Sequence, residues 1–198
     1  MPQRRSPFNL PNVLTYARIG AVPVVVGLLF WPDDALLRWL AFGIYAAAAI
    51  TDFFDGYLAR MWSQQSSMGR ILDPIADKLL IGAVLMMLVY NGAIRSWAVW
   101  AAIVILCREM LVSGLREFLA EVHVSVPVSQ LAKWKTTVQI LALGFLVTGH
   151  AGDALLPAGM TQLIGLILLW IAALFTLYTG YDYFKAGIRH VLEVDEKP

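Results

Sequence analysis

Apolar residues dominate this chain and fall into six long stretches separated by short polar breaks. The stretches cover residues 8–31, 35–60, 70–92, 95–118, 128–149 and 159–185. Crossing the hydrocarbon core of a bilayer takes about 20 residues of helix, so each stretch is long enough to span it. The breaks carry turn-forming residues, as in Trp31-Pro32-Asp33-Asp34 and Asn91-Gly92. The pattern predicts an all-α integral membrane protein with six transmembrane helices, forming a single domain over residues 1–198.

The composition supports a membrane protein. Hydrophobic residues make up 59% of the 198 residues, whereas soluble domains average about 45–50%. The net charge of +1 gives no basic surface for nucleic acid, which we do not expect as a partner. The single cysteine, Cys107, excludes an intrachain disulfide, and its apolar surroundings predict a small core residue.

The basic residues predict an orientation. With the N-terminus in the cytoplasm, the outer loops and their margins hold only Arg38 and Arg95. The inner side then holds Arg4, Arg5, Arg60, Arg70, Arg116, Lys133, Lys185, Arg189 and Lys197. This asymmetry predicts a multi-pass protein of a bacterial-type cytoplasmic (inner) membrane with both termini in the cytoplasm. Arg4 and Arg5 could also begin a signal peptide, but polar residues such as Asn12 interrupt the apolar run, so we expect the first helix to be retained.

In this topology every helix carries polar residues at its cytoplasmic end. Charged turns at membrane depth are tolerated when they face one another or water rather than lipid. We therefore expect the helices to enclose a polar cavity open to the cytoplasm. A cation or proton transporter, an alternative of a different class, would place its charges nearer the midplane, often with repeats or broken helices.

Four aspartates in this region carry the chemistry. Asp52 and Asp55 lie three residues apart in the second stretch, and Asp73 and Asp77 lie four apart in the third, so each pair shares a helix face. Carboxylate oxygens are the ligands of hard divalent cations. Two such ions can stabilise both the attacking and the leaving oxygen in phosphoryl transfer. The sequence therefore predicts a metal site for phosphoryl-transfer chemistry.

Smaller and basic residues on the same faces complete the motif. Gly56, Ala59 and Gly69 leave room for a phosphate or nucleotide to approach, although small residues also serve tight helix packing. Arg60 is placed to bind a phosphate in bidentate fashion.

The motif resembles the signature of the CDP-alcohol phosphatidyltransferase family. It reads Asp52-x2-Asp55-Gly56-x2-Ala59-Arg60-x8-Gly69-x3-Asp73-x3-Asp77. Segments 12–18, 108–117 and 133–139 extend the resemblance to a branch of the family that uses glycerol 3-phosphate. The resemblance implies six transmembrane helices, a homodimer and a divalent metal, Mg²⁺ or Mn²⁺, as two ions. It also implies CDP-diacylglycerol as the lipid donor, sn-glycerol 3-phosphate as the acceptor, and phosphatidylglycerophosphate and CMP as products.

The resemblance also implies roles for individual residues. Asp52, Asp55 and Asp73 would be metal ligands, and Asp77 would be both a ligand and the general base. The donor would contact Gly56, Ala59, Arg60, Ser66 and Gly69. The acceptor phosphate needs cations, for which the candidates are Arg108, Arg116, Lys133 and Lys135, with Thr15 and Arg18 in support.

The acceptor is the open question within the family. Four basic residues favour an anionic acceptor and disfavour free serine. Inositol phosphate, another anionic acceptor, remains an alternative.

Overall fold

The protein is an all-helical chain in the part that the structure describes. A computed structural model describes residues 10–62, 67–121 and 130–195, with side chains for residues 12–51, 72–119, 134–181 and 183–185. The helices are α1 Leu10–Leu29, α2 Ala35–Trp62, α3 Ser67–Tyr90, α4 Ala98–Glu121, α5 Gln130–Thr148 and α6 Met160–Asp195, with a short 3-10 helix, Gly149–Ala154, between the last two. The predicted helical stretches are confirmed to within three residues, except that α6 continues ten residues beyond position 185.

Three of these helices are long and apolar enough to cross a membrane. The segments are Asn12–Leu29 in α1, Ala98–Leu119 in α4 and Met160–Lys185 in α6, and α2 contributes a shorter apolar segment, Ala35–Thr51. This confirms the membrane character of the chain. The remaining helices, α3 and α5, carry charged residues within their lengths, which shortens their apolar stretches.

One residue is more exposed than its sequence surroundings indicate. Cys107, predicted to be a core residue, is exposed on α4. That prediction is wrong because an apolar run in a membrane helix can face lipid as readily as protein.

The chain forms two compact units. The first consists of Met1–Ala93 and Leu143–Gln162, and the second of Ile94–Ala142 and Leu163–Pro198. In the first unit α1 packs against both α2 and α3. Its apolar core includes Val25 and Leu29 of α1 and Leu88 of α3, all fully buried.

Side chains and glycines define the helix ends in the first unit. The Oδ1 atom of Asp34 accepts hydrogen bonds from the backbone N–H groups of Leu36 at 2.9 Å and Leu37 at 3.1 Å, which caps α2. Gly92, with φ of +76°, follows the end of α3. At the end of α5, the carbonyl of Val147 accepts a hydrogen bond of 3.0 Å from the Nη1 atom of Arg38.

Candidate active site

In the first unit, α1 brings a polar side chain into contact with an aspartate of α3. Asn12, Thr15 and Arg18 of α1 are all buried, with at most 2% of their surface exposed. The hydroxyl of Thr15 donates a short hydrogen bond to the Oδ1 atom of Asp73. A polar stripe of α1 therefore faces inward, and one of its members orients a carboxylate of the predicted metal site.

Asp73 and Asp77 lie one helical turn apart on α3, and both are half-buried. Side chains four residues apart on a helix have Cβ atoms about 5–6 Å apart, so both carboxylates lie on one face. Tyr45 of α2, with 2% of its surface exposed, is a buried polar residue of the same unit. The second and third helices thus both contribute polar side chains to the first unit.

The remaining residues of the motif lie outside the described side chains. Asp52, Asp55, Gly56, Ala59 and Arg60 belong to α2, and Gly69 belongs to α3. Ser66 lies outside the described residues altogether, and Lys133 belongs to α5 with its side chain likewise outside. Among the described residues no group of three or more potential metal-binding side chains occurs. Only two of the four aspartates belong to that set, so the four-aspartate site stays a prediction.

In the second unit, a carboxylate holds two of the predicted acceptor-binding cations together. The Oε1 atom of Glu109 accepts a hydrogen bond of 3.4 Å from Nη1 of Arg108 and a shorter one from Nζ of Lys135. The side chains of Arg108 and Lys135 are only 10% and 5% exposed. The carboxylate of Glu109 thus contacts two buried cations.

The last helix completes this cluster. The Nη2 atom of Arg108 donates a hydrogen bond of 3.0 Å to the hydroxyl of Thr179. The guanidinium carbon of Arg116 lies 5.3 Å from the centre of the Tyr183 ring, in a cation–π arrangement. Tyr183 is itself 5% exposed. Two of the predicted acceptor-binding arginines therefore contact α6.

Sequence reasoning missed Glu109, Thr179 and Tyr183 as members of this group. Glu109 stands beside Arg108 in the sequence but carries the wrong charge for an acceptor phosphate, and the other two lie in a helix rich in apolar residues. A signal was nevertheless present. Positions 176, 179, 180 and 183 of α6 are Thr, Thr, Gly and Tyr, and offsets of 0, 3, 4 and 7 define one helix face.

The fold and the site define a class of protein: a helical membrane protein with paired carboxylates on one helix and buried cations on others. A family model described as CDP-alcohol phosphatidyltransferase matches residues 8–178. The chain belongs to the CDP-alcohol phosphatidyltransferase family, as the aspartate motif predicts.

Three of the similar curated relatives carry the name CDP-diacylglycerol–glycerol-3-phosphate 3-phosphatidyltransferase. The chain is 52% identical to the protein of that name from Rickettsia bellii, with 90% of this chain and 94% of the relative aligned. It is 36% identical to the relative from Cereibacter sphaeroides, covering 96% and 99% of the two chains. It is also 36% identical to the relative from Shigella flexneri serotype 5b, covering 94% and 98%.

Proposed function

We propose that this protein is an enzyme that transfers the phosphatidyl group of CDP-diacylglycerol to sn-glycerol 3-phosphate, forming phosphatidylglycerophosphate and CMP in phospholipid biosynthesis. The observation that carries the proposal is the similarity over about nine-tenths of the chain to relatives named for this reaction. The proposal is supported by two carboxylates on one face of α3 in one unit and by buried cations in the other.

The described carboxylates fit a divalent metal. Asp73 and Asp77 offer hard oxygen ligands from one face of α3, and the hydrogen bond from Thr15 occupies only one of the oxygens of Asp73. Asp52 and Asp55 would supply the opposite pair: the buried positions of α2 at 38, 41, 45 and 48 continue by helical register to positions 52, 55, 56 and 59. Magnesium or manganese, bound as two ions, would neutralise charge on the transferring phosphoryl group.

Other residues of the chain position the substrates and move a proton. A hydroxyl oxygen of glycerol 3-phosphate attacks the phosphorus that bears the diacylglycerol, and the bond from that phosphorus to the oxygen of CMP breaks. Asp77 accepts the proton of the attacking hydroxyl, and CMP leaves with the bonding electron pair. Gly56, Ala59, Arg60, Ser66 and Gly69 would contact the CDP part of the donor. These roles follow from the family motif.

Most of the candidate acceptor-binding residues belong to the second unit. Arg108 and Lys135 both contact Glu109, and their positive charges would attract the phosphate of the acceptor. Arg116 and Lys133 complete the candidate set, and Thr15 and Arg18 are further candidates from α1. Four basic candidate residues favour glycerol 3-phosphate over uncharged or zwitterionic acceptors such as serine. An inositol phosphate would meet the same charge requirement and is distinguished by experiment.

The membrane arrangement completes the proposal. All six helices would cross the inner membrane, with both termini in the cytoplasm and the polar residues lining a cavity open to that side. The donor could then keep its acyl chains in the bilayer while a water-soluble acceptor enters from the cytoplasm. The chain would act as a single domain and as a homodimer, as the family resemblance implies. A single family model covering residues 8–178 supports the single domain.

The test is identification of the product. Purified protein in detergent with Mg²⁺ and CDP-diacylglycerol is offered glycerol 3-phosphate, serine, inositol phosphate or no acceptor, and the lipid products are identified by mass spectrometry. Phosphatidylglycerophosphate formed only with glycerol 3-phosphate is the expected result. Exclusive product formation with another acceptor would leave the family intact and refute the proposed substrate.

A further inference from the structure

A threonine of α6 is fixed so that it presents a lone pair to Arg108. The hydroxyl of Thr179 lies 2.8 Å from the carbonyl oxygen of Phe175, one turn earlier on its own helix, and donates its proton there. The same oxygen accepts the 3.0 Å hydrogen bond from Nη2 of Arg108. Thr179 is 1% exposed, so water cannot replace this acceptor without rearrangement.

The next residue of α6 leaves space for the stem of the same arginine. A Cβ atom added to Gly180 would lie 3.1 Å from Cγ of Arg108 and 3.6 Å from its Nε atom. The shorter distance is closer than ordinary van der Waals contact, so any side chain at position 180 would displace the arginine by a few tenths of an ångström. Thr179 and Gly180 therefore constrain both ends of the Arg108 side chain.

The guanidinium of Arg108 has N–H donors that its described contacts do not use. Its described contacts are those to Glu109 and Thr179, and its Nε atom is buried with no hydrogen-bond partner among the described residues. A guanidinium offers more N–H donors than these contacts use. A fixed arginine with unused donors is suited to bind an anion with little loss of side-chain entropy.

We propose that Thr179, together with Gly180, is a positioning residue for the acceptor site: it holds the guanidinium of Arg108 in the orientation that binds the phosphate of the acceptor. This inference rests on the proposed function and adds α6, which the aspartate motif does not include, to the determinants of acceptor affinity. Thr179 acts through Arg108 and does not itself contact the substrate.

The test distinguishes a loss of acceptor affinity from a general defect in folding. Thr179→Val keeps the shape of the side chain and removes the hydroxyl, and it should raise the KM for glycerol 3-phosphate about three- to tenfold. The KM for CDP-diacylglycerol should change by less than about twofold. The Thr179→Ser variant should keep the wild-type KM for glycerol 3-phosphate, because the serine hydroxyl can make both hydrogen bonds.

Thr176→Val is the matched control. Thr176 lies on the same face of α6 and is fully buried, but its hydroxyl has no hydrogen-bond partner among the described residues. Its replacement should leave both KM values unchanged. Gly180→Ala should raise the acceptor KM in the same direction as Thr179→Val, and it keeps the proposal testable if the valine variant fails to fold.

A double-mutant cycle links the effect to the arginine. In an Arg108→Ala background, adding Thr179→Val should change the acceptor KM by less than about twofold, since the interaction is already gone. Independent, multiplicative effects would overturn the positioning role, as would a Thr179→Val variant with wild-type acceptor KM. A wild-type protein that forms no phosphatidylglycerophosphate would refute the proposed function instead, before any variant is compared.

Discussion

Thr15 on α1 donates its hydroxyl proton to the Oδ1 atom of Asp73 on α3. This contact joins a residue outside the aspartate motif to one of the motif's carboxylates. A hydrogen bond from a buried hydroxyl fixes the orientation of the carboxylate and leaves its second oxygen available. Thr15 was predicted beside the acceptor phosphate; the observed contact joins it to a carboxylate of the predicted metal site, and an acceptor contact stays a prediction.

Removing this hydroxyl should weaken metal binding. Thr15→Val should raise the Mg²⁺ concentration needed for half-maximal turnover by about ten- to a hundredfold, the usual cost of losing a residue that orients a metal ligand. Thr15→Ser should behave like the wild type. Thr148→Val is the control, because the hydroxyl of that buried threonine bonds, within the described part of the chain, only to carbonyls of its own helix. Equal losses in the Thr15 and Thr148 valine variants would show a general packing defect instead.

The second prediction separates Asp77 from the other aspartates. Asp77→Asn keeps the shape of the side chain and one neutral oxygen but removes the proton acceptor, so turnover should be nearly abolished. The affinity for CDP-diacylglycerol should change by less than about tenfold, or ~1.4 kcal/mol. Asp52→Asn should weaken metal affinity, so excess Mg²⁺ should restore part of its turnover. The measurement is metal titration of turnover and donor binding for each variant in one detergent.

Two results would contradict these assignments. If excess metal restores turnover to Asp77→Asn and not to Asp52→Asn, Asp77 is a ligand and not the base. Exhaustive chelation with EDTA should abolish CMP release by the wild type, and Mg²⁺ or Mn²⁺ should restore it. Full activity after chelation would refute the metal site.

The third prediction concerns the cations that share Glu109. Arg108→Ala or Lys135→Ala should raise the KM for glycerol 3-phosphate about ten- to a hundredfold, since losing a hydrogen bond to a charged group costs about 1.5–3 kcal/mol. The KM for CDP-diacylglycerol should change far less. Lys185→Ala, which removes an exposed cation of α6, is the control and should leave both values unchanged. Equal increases for both substrates would point to a donor role or a folding defect.

The fourth prediction concerns stability. Gly149 has φ of +49°, and a Cβ atom there would lie 2.4 Å from Nη1 of Arg38. That nitrogen is buried and donates to the carbonyls of Leu146 and Val147, so it cannot move without losing hydrogen bonds. Gly149→Ala should therefore lower the apparent Tm in detergent.

Gly159→Ala provides the comparison for this effect. Gly159 also has a positive φ, of +80°, but nothing lies within 4 Å of its added Cβ atom. The Gly159→Ala variant should lose only the cost of the left-handed backbone conformation, about 1–2 kcal/mol of the free energy of unfolding. Equal losses of stability in the two alanine variants would show that the contact with Arg38 contributes nothing.

The sequence could predict the helices because their ends carry residues with defined conformational roles. Asp34 and Gly92 mark a beginning and an end that the structure confirms. The extension of α6 to Asp195 could not be predicted from apolar content, since helical hydrogen bonding continues after the apolar side chains stop. Nor could the pattern separate buried from exposed positions: Met86 and Leu174 are 67% and 62% exposed, although both are apolar like the buried Leu88.

The candidate site was predictable where charge marks it. Aspartates and arginines in a membrane helix are costly, so each indicates a function. The sequence did not indicate Thr179, because the hydroxyl of a threonine in an apolar helix can donate a hydrogen bond to a carbonyl of its own helix, as that of Thr148 does. Its contact with Arg108 links α4 to α6, residues 71 positions apart, and one sequence carries no signal for such a pair.

The measurement that tests the account most directly is the balance of products over time. Purified protein with Mg²⁺, CDP-diacylglycerol and glycerol 3-phosphate should release CMP and form phosphatidylglycerophosphate in equal amounts at every time point. Omitting the acceptor should stop both, and Asp77→Asn should form neither. Release of CMP without acceptor, with phosphatidic acid as the lipid product, would show transfer to water and contradict a glycerol 3-phosphate phosphatidyltransferase.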